Sequence, residues 1–349
     1  MSGNTFGKIF SLTTYGESHG PGLGGVIDGC PAGIALTEDI IQLELDRRKP
    51  GQGIAATARK EADKVKLLSG IFEGRTTGTP IGFHIENTDH RSKDYSKIMD
   101  VYRPGHADLT YDAKYGVRDY RGGGRSSGRE TVSRVVGGAV AQEFLKSSGI
   151  SCQAYTIAIG GINAKVTDAE GAVNRPFFSP DDSIIPEWES KIKKVRSDGD
   201  TLGGVVEICL SGVPAGLGEP VFDKLDARLA YALMGVGAVK GVEIGSGFAA
   251  SAATGSTNND FMQQGGFQSN NAGGILGGIS SGQQIIVRAH VKPIPSIAKK
   301  QQTVDKNGRE VAISIGGRHD ICAIPRIVPV LKAMAMLSIA DFVLLQRRM

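Results

Sequence analysis

At 349 residues the chain is long enough for two ordinary domains or one large one, and an apolar content of 40% supports a buried core. Its 40 Lys and Arg balance 36 Asp and Glu, no long block carries one sign, and aromatics reach only 6%, which excludes a nucleic-acid track and suits a small anionic ligand. Glycine is the outlier, with 49 residues and no collagen period, so close approach of the backbone matters somewhere.

The opening MSGNTFGKIF has no basic stretch followed by an apolar one, and no window offers 18 uncharged apolar residues. A cytoplasmic protein without a membrane span is expected. His19 follows in YGESHGPG, a glycine-flanked loop where a side chain can meet a ligand. The segment LGGVIDGCPAGIALTED, from Leu23, then runs through a strand-like stretch into a helix. That helix has Thr37 as N-cap, Glu38 and Asp39 in its first turn, Arg47, Arg48 and Lys49 in its last, and a stop at Pro50-Gly51.

Arg103 and His106 share the loop YRPGHAD. YRGGGRSSGRET, residues 120 to 131, combines three consecutive glycines with Arg125 and Arg129, and Ser127 with Glu130 has the spacing of a capping box. A helix is predicted from there to Gly149. A helix N-terminus behind bare backbone and forked cations is an anion cradle in outline, although the phosphate-loop pattern G-x-x-x-x-G-K-[ST] is absent.

Residues 176 to 194 raise proline, acid and lysine together and read as a linker. LGGVVEICLSGVPAGLGEPVFD, from Leu202, echoes the segment at Leu23 and predicts a second helix from near Pro220 carrying Val221, Leu225, Leu229 and Leu233. The echo points to two halves of similar build meeting near residues 176–195, within a single domain over 1–349. VEIGSGFAA, residues 242 to 250, satisfies a dinucleotide fingerprint but lacks the acidic residue about 20 positions on, so a Rossmann site is not expected. QQIIVRAHV, residues 283 to 291, predicts a strand ending at the rigid KPIPS of 292 to 296. His319 and Asp320 stand together in GGRHD, and an apolar helix over 329–346 is expected to serve the core or a subunit contact.

Histidine suits proton transfer near neutral pH, and a neighbouring carboxylate can act as base or orient a partner. Cys30, Cys152, Cys209 and Cys322 are far apart, without C-x-x-C or zinc spacing; they read as buried thiols, and no metal site is expected.

Taken together, YGESHG, YRPGHADLTY, YRGGGRSSGRET, GVPAGLGEPVFDKLDA, FQSNNAGGILGGISSGQQI and GRHDICAIPR resemble the chorismate synthase family, in order from Gly7 to about Pro329. The resemblance implies an α+β fold, a β-α-α-β sandwich with pseudo-twofold internal duplication, assembled as a homotetramer. It implies conversion of 5-enolpyruvylshikimate 3-phosphate to chorismate and phosphate, with reduced FMN required but no net redox change. By similarity, Arg48, Arg103, Arg129 and Arg134 would hold the substrate. Arg125, Ser126, Ser127, Gly237, Ala238, Gly277, Lys292, Pro293, Ile294, Pro295, Ser296 and Arg318 would hold the flavin. His19 would protonate the departing phosphate, His106 would protonate or stabilise the reduced flavin, and Asp320 would work with the flavin in removing the ring proton. Some relatives reduce their own flavin with NADPH; here an external flavin reductase is expected. Ile321 stands where proline is common, Gly128 where alanine is, Gly237 where asparagine is, and Ile54 where a second arginine often follows RRKPG. A flavin-dependent oxidoreductase or a non-catalytic flavin- or phosphate-binding protein are the alternatives.

Overall fold

The computed structural model describes residues 3–49, 55, 63–87, 99–315 and 320–347. The chain first lays down β1 (Thr5–Phe6), β2 (Ser11–Gly16), β3 (Gly22–Asp28), α1 (Glu38–Arg48), β4 (Val65–Leu67), the small ribbon β5 (Ile71–Phe72) and β6 (Arg75–Thr76), β7 (Ile81–Glu86), α2 (Asp108–Tyr115) and α3 (Thr131–Lys146). There follow β8 (Ser151–Ile159), β9 (Ile162–Asn163), α4 (Ile185–Ser197), β10 (Gly204–Ser211), α5 (Leu225–Met234), β11 (Val239–Ile244) and α6 (Gly255–Asn258). Two ribbons, β12 (Met262–Gln263) with β13 (Gly266–Phe267) and β14 (Ile275–Leu276) with β15 (Ile279–Ser280), precede β16 (Ile285–Val291). The hairpin of β17 (Gln301–Val304) and β18 (Glu310–Ile313), then α7 (Ile324–Gln346), complete the chain.

Two antiparallel five-stranded sheets, ordered β1-β2-β3-β7-β4 and β11-β16-β10-β8-β9, enclose a helical layer in which α3 packs on α7. The order β2-β3-β7-β4 repeats as β8-β10-β16-β11, and each set is built the same way: the strand beginning in the LGGV echo leads to a helix, α1 or α5, and the last strand leads to α3 or α7. This is the β-α-α-β sandwich with internal duplication. One hydrophobic cluster runs from Phe10 and Leu23 through Val136 and Leu337 to Ile208 and Val287, so both sheets share a core. Strand alternation puts it there: in β16 Ile285, Val287, Ala289 and Val291 are buried while the residues between them face outward.

Several sequence expectations hold, and others shift for visible reasons. Thr37 caps α1, accepting from Ile40 N. The second helix begins at Leu225, not Pro220, because Phe222 has φ +58° and residues 219–223 form a turn that leaves Val221 exposed. Ser127 accepts from Arg129 N rather than completing a capping box, because the Glu130 carboxylate is taken by Arg134 Nε at 3.1 Å; two 3₁₀ turns therefore precede α3. The last helix starts five residues early, with Pro325 in its first turn where a missing N–H does no harm. α7 is long and apolar enough to cross a membrane, yet it is the buried helix of the core.

Residues 176–194, read as a linker, hold most of α4, whose Trp188 is 0% exposed and donates Nε1–H to Ile162 O at 3.0 Å. They lie between two strands of the second sheet, so the repeated elements join earlier, at residues 147–150 between α3 and β8.

Two contacts lock the layers. Asp341 of α7 accepts from the backbone N–H of Lys8, Ile9 and Phe10 at 2.9, 2.7 and 3.1 Å, fixing the entry to β2. Gly138 of α3 meets α7 so closely that a β-carbon there would lie 2.2 Å from Ala333 Cβ and 2.4 Å from its Cα. Helix propensity favours Gly138→Ala by about 1 kcal/mol, but overpacking against backbone costs roughly 1–3 kcal/mol or more. The substitution is expected to lower the urea midpoint; an unchanged or raised midpoint would show that the helices separate freely.

Candidate active site

The described ends of α1, β7 and the α3 approach converge on one carboxylate. Arg48, the last residue of α1, donates Nη1–H to Asp63 Oδ2 at 2.9 Å, and Arg129 bonds Asp63 Oδ1 through its own Nη1. All three are buried, at 1%, 2% and 4% exposure. Arg48 also donates to Thr131 Oγ1 at 3.1 Å and Gly128 O at 3.0 Å. Arg129 donates Nε–H to Asn87 Oδ1 at 3.0 Å, and the Asn87 amide donates to Glu17 O and Gly20 O at 2.9 and 2.8 Å, the two sides of the turn that carries His19. Two arginines expected to bind substrate and a histidine expected to move a proton thus belong to one connected group.

The glycine stretch closes over this group. A β-carbon on Gly122 would fall 2.3 Å from His19 Nδ1 and 2.9 Å from Ser18 Oγ, so the bare backbone there is required by the His19 ring. His19 Nδ1 is 3.0 Å from Ser18 Oγ. Nearby, hydrogen bonds from Arg121 hold the Asp119 carboxyl below its ordinary range, with a smaller contribution from His19. Arg125 is turned toward β2, donating to Thr14 Oγ1 at 2.6 Å and Gly16 O at 3.2 Å; it staples the stretch to the first sheet. Ser126 Oγ donates to Gly123 O at 2.6 Å.

A second group lies on the loop before α2. Asp108 takes Arg103 side-on, Nε to Oδ2 at 2.8 Å and Nη2 to Oδ1 at 2.7 Å, and Arg118 adds a contact at 2.9 Å. Burial alone would raise the Asp108 carboxyl; the hydrogen bonds and charge of Arg103, with the charge of Arg118, outweigh it and hold the carboxyl at about 2. His106 Nδ1 faces Pro104 O at 3.0 Å, and since a carbonyl only accepts, Nδ1 carries the proton. In the neutral ring Nε2 then accepts from Ser296 Oγ at 2.8 Å.

Ser296 belongs to the KPIPS segment, which the structure gathers with other expected contacts: Lys292 N donates to Ala238 O at 2.9 Å, its Nζ to Gly105 O at 3.4 Å, and Thr201 Oγ1 donates to Ile294 O at 2.6 Å. Lys292 and Pro293 border an open hollow of about 490 Å³ that also takes in Lys240, His290 and the backbone of Gly160 and Gly203. Space is open where Gly237 would carry a β-carbon. The ammoniums of Lys292 and Lys240 beside open space suit the anionic group of a bound ligand.

Ile321, next to Asp320, links the two halves through its backbone. Ile321 N donates to Ala55 O at 3.0 Å, Leu202 N donates to Ile321 O at 2.8 Å, and Arg326 Nη1 holds Asp320 Oδ2 at 2.7 Å. Arg318, His319 and Ile54 lie outside the described residues. Gly277 stands apart from these groups, while the Arg134 guanidinium lies beside Gly235, two residues before Gly237. Arg134 pairs with Glu130 and lies against Met334. Gly277 adjoins the start of α5, where Gly278 O accepts from Leu225 N; a ten-residue helix, about 15 Å, separates that point from Gly237. Asp63 and Asn87 were not foreseen: no spacing links them locally to the residues they hold. Asp108, five residues after Arg103, and Arg326, six residues after Asp320, were foreseeable.

Residues 10–344 match the family model described as chorismate synthase. The chain is 78% identical over 349 residues to the chorismate synthase of Maridesulfovibrio salexigens, covering all of both chains. It is 69% identical over 350 residues to that of Oleidesulfovibrio alaskensis, covering 100% of this chain and 99% of the relative. A crystal structure of chorismate synthase superposes with a TM-score of 0.78 at 32% identity, covering 98% of this chain and 93% of the other.

The Asp108 carboxyl ties a pH dependence to the second group. Its folded value of about 2 against an ordinary 3.8 is worth roughly 2 kcal/mol, present above pH 4 and lost as pH falls through 2. Urea midpoints of wild type and Asp108→Asn should therefore differ at pH 7, with the gap shrinking by about half at pH 3; a gap independent of pH would remove the ion pair as its cause.

Proposed function

The chain belongs to the chorismate synthase family, the lyases of the shikimate pathway, and on that premise we propose how its own residues carry the 1,4-elimination of phosphate from 5-enolpyruvylshikimate 3-phosphate. The reading is supported above all by one observation: Arg48 and Arg129 meet on Asp63, and Asn87 ties Arg129 to the His19 turn. Guanidiniums held in fixed orientation suit a ligand bearing a phosphate and two carboxylates, and an imidazole beside them can supply the proton that the departing phosphate needs. Arg48, Arg129 and Arg103 would bind the substrate's anionic groups, with Arg134 at the margin. His19 would be the general acid, and Asp320, held by Arg326, would receive the ring proton.

Family membership implies a flavin, which we take to be reduced FMN; when bound it would lend electron density to the substrate ring and take it back, leaving no net redox change. Lys292, Pro293, Ile294, Pro295, Ser296, Gly237 and Ala238 would hold it, with Ser126, Ser127, Arg125, Gly277 and Arg318 as further contacts. His106, bonded to Pro104 O through Nδ1 and to Ser296 Oγ through Nε2, would protonate or stabilise the bound reduced cofactor once its ring carries both protons. NADPH would supply reducing equivalents through an external flavin reductase. We further propose a cytoplasmic homotetramer; Tyr15, Val26 and Leu68, exposed around the first sheet, are apolar surface for such an assembly.

An anaerobic assay with pre-reduced FMN tests the reading by following chorismate, phosphate and flavin oxidation state together. Wild type should release chorismate and phosphate in equal amounts with the flavin still reduced; steady flavin oxidation would make the protein an oxidoreductase instead. His19→Ala and His106→Ala should lower kcat by about 10²- to 10⁴-fold, and Asp320→Asn should bind flavin normally but turn over slowly. Full turnover in any of them removes that residue from the mechanism. Gly122→Ala, which forces the His19 ring aside, should lower kcat in step with His19→Ala while the melting temperature changes little. A wild-type rate would show that the ring's position is immaterial.

A further inference from the structure

We propose that Asp63 is the positioning residue of the substrate site: its carboxylate sets the orientation of Arg48 and Arg129, and so governs how tightly the anionic substrate binds rather than how fast it reacts. The inference rests on the reading that these two arginines bind substrate. Each Asp63 oxygen serves a different guanidinium, Oδ2 for Arg48 and Oδ1 for Arg129, and the Asp63 side chain is fully buried. The three side chains come from the end of α1, the approach to β4 and the turn before α3, so no short-range geometry would align them.

Asp63 is itself held in place. Its carbonyl accepts from Gln42 Nε2 at 3.4 Å, and its backbone takes φ +46°, a left-handed conformation that aspartate tolerates better than most residues but still at some cost. A strained backbone kept at this point implies that the surroundings dictate where the carboxylate must be. Two like charges brought close repel, and each arginine has several freely rotating bonds. The shared carboxylate counters the repulsion, and with Thr131, Gly128 and Asn87 it removes that freedom before the substrate arrives.

The sign of the effect separates positioning from simple charge. A carboxylate beside an anion site repels the anion, so charge alone predicts that Asp63→Asn tightens substrate binding. Positioning predicts the reverse: with the guanidiniums loosened, KM for 5-enolpyruvylshikimate 3-phosphate should rise by about tenfold or more, the loss of roughly one charge-assisted hydrogen bond. The inhibition constant of inorganic phosphate should rise with it, while kcat of the folded enzyme stays within about threefold, less than the loss of one such bond would cost the chemical step. A merely structural role would instead lower kcat with the active fraction and leave KM alone.

Asp63→Glu keeps the charge but moves it by one methylene, and should also raise KM; it decides the matter if Asp63→Asn does not accumulate folded. Arg48→Lys and Arg129→Lys are measured alongside. If neither raises KM, the substrate role of the arginines fails. If they raise it and the folded Asp63 variants leave KM and phosphate inhibition unchanged or lower, the arginine reading stands and the positioning role of Asp63 is overturned.

Discussion

A buried carboxylate shared by two arginines is an arrangement that only a complete fold can hold. Taking ions out of water costs several kcal/mol each, and breaking such a pair by removing one partner leaves an uncompensated charge in the interior. Arg48, Asp63 and Arg129 are therefore a constraint on everything around them. The C-terminus of α1, the start of β4 and the N-terminus of α3 must all arrive at one point, and Thr131, Gly128 and Asn87 accept from other guanidinium N–H groups as they do. Through Asn87 the constraint reaches the turn between β2 and β3, so the position of the His19 ring follows from the position of the arginines.

The duplicated architecture gives that point its place. Each half contributes a sheet and two helices, and α3 and α7 come together closely enough that Gly138 has no room for a side chain. With the core filled by helix contacts, polar groups collect where strands and helices end. There the segment after Asp320 bridges Ala55 of the first half and Leu202 of the second, while the KPIPS segment of the second half reaches back to His106 of the first. Neither half contains all the residues of the proposed site, and the two halves share one core.

Different parts of the molecule put ionisable groups to different uses. Burial pushes the Cys30 and Cys322 thiols up to about 12, so they stay protonated and act as small apolar groups in the core. Asp108, equally enclosed, is held ionised by the two arginines that face it. On the outer face of the second sheet, burial and then hydrogen bonds with Cys209 and Glu207 keep the Tyr155 hydroxyl protonated. The same low-polarity surroundings thus neutralise groups without a counter-charge and fix the charge of those that have one.

Local chemistry determined much of this protein from the sequence alone. Thr37 and the acidic residues after it begin α1, alternating β-branched residues make β16, and the repeated LGGV segment announced two similar halves, because each signal acts within a few residues of itself. The loops carrying His19, His106 and the three glycines were legible too, since scarce residue types stood in unusual settings. What the tertiary structure decided was which of those groups meet. The residues 176–194 looked like a linker by composition and instead bury Trp188. Arg125 stood out only as a cation beside glycines, and its tie to Thr14 of β2 shows in the fold alone. Asp63 and Asn87 carried no local mark at all. Their roles depend on partners 15 to 70 residues away, and charge complementarity across that distance is settled only when the chain has folded, because burial and nearest neighbours set the strength of each interaction.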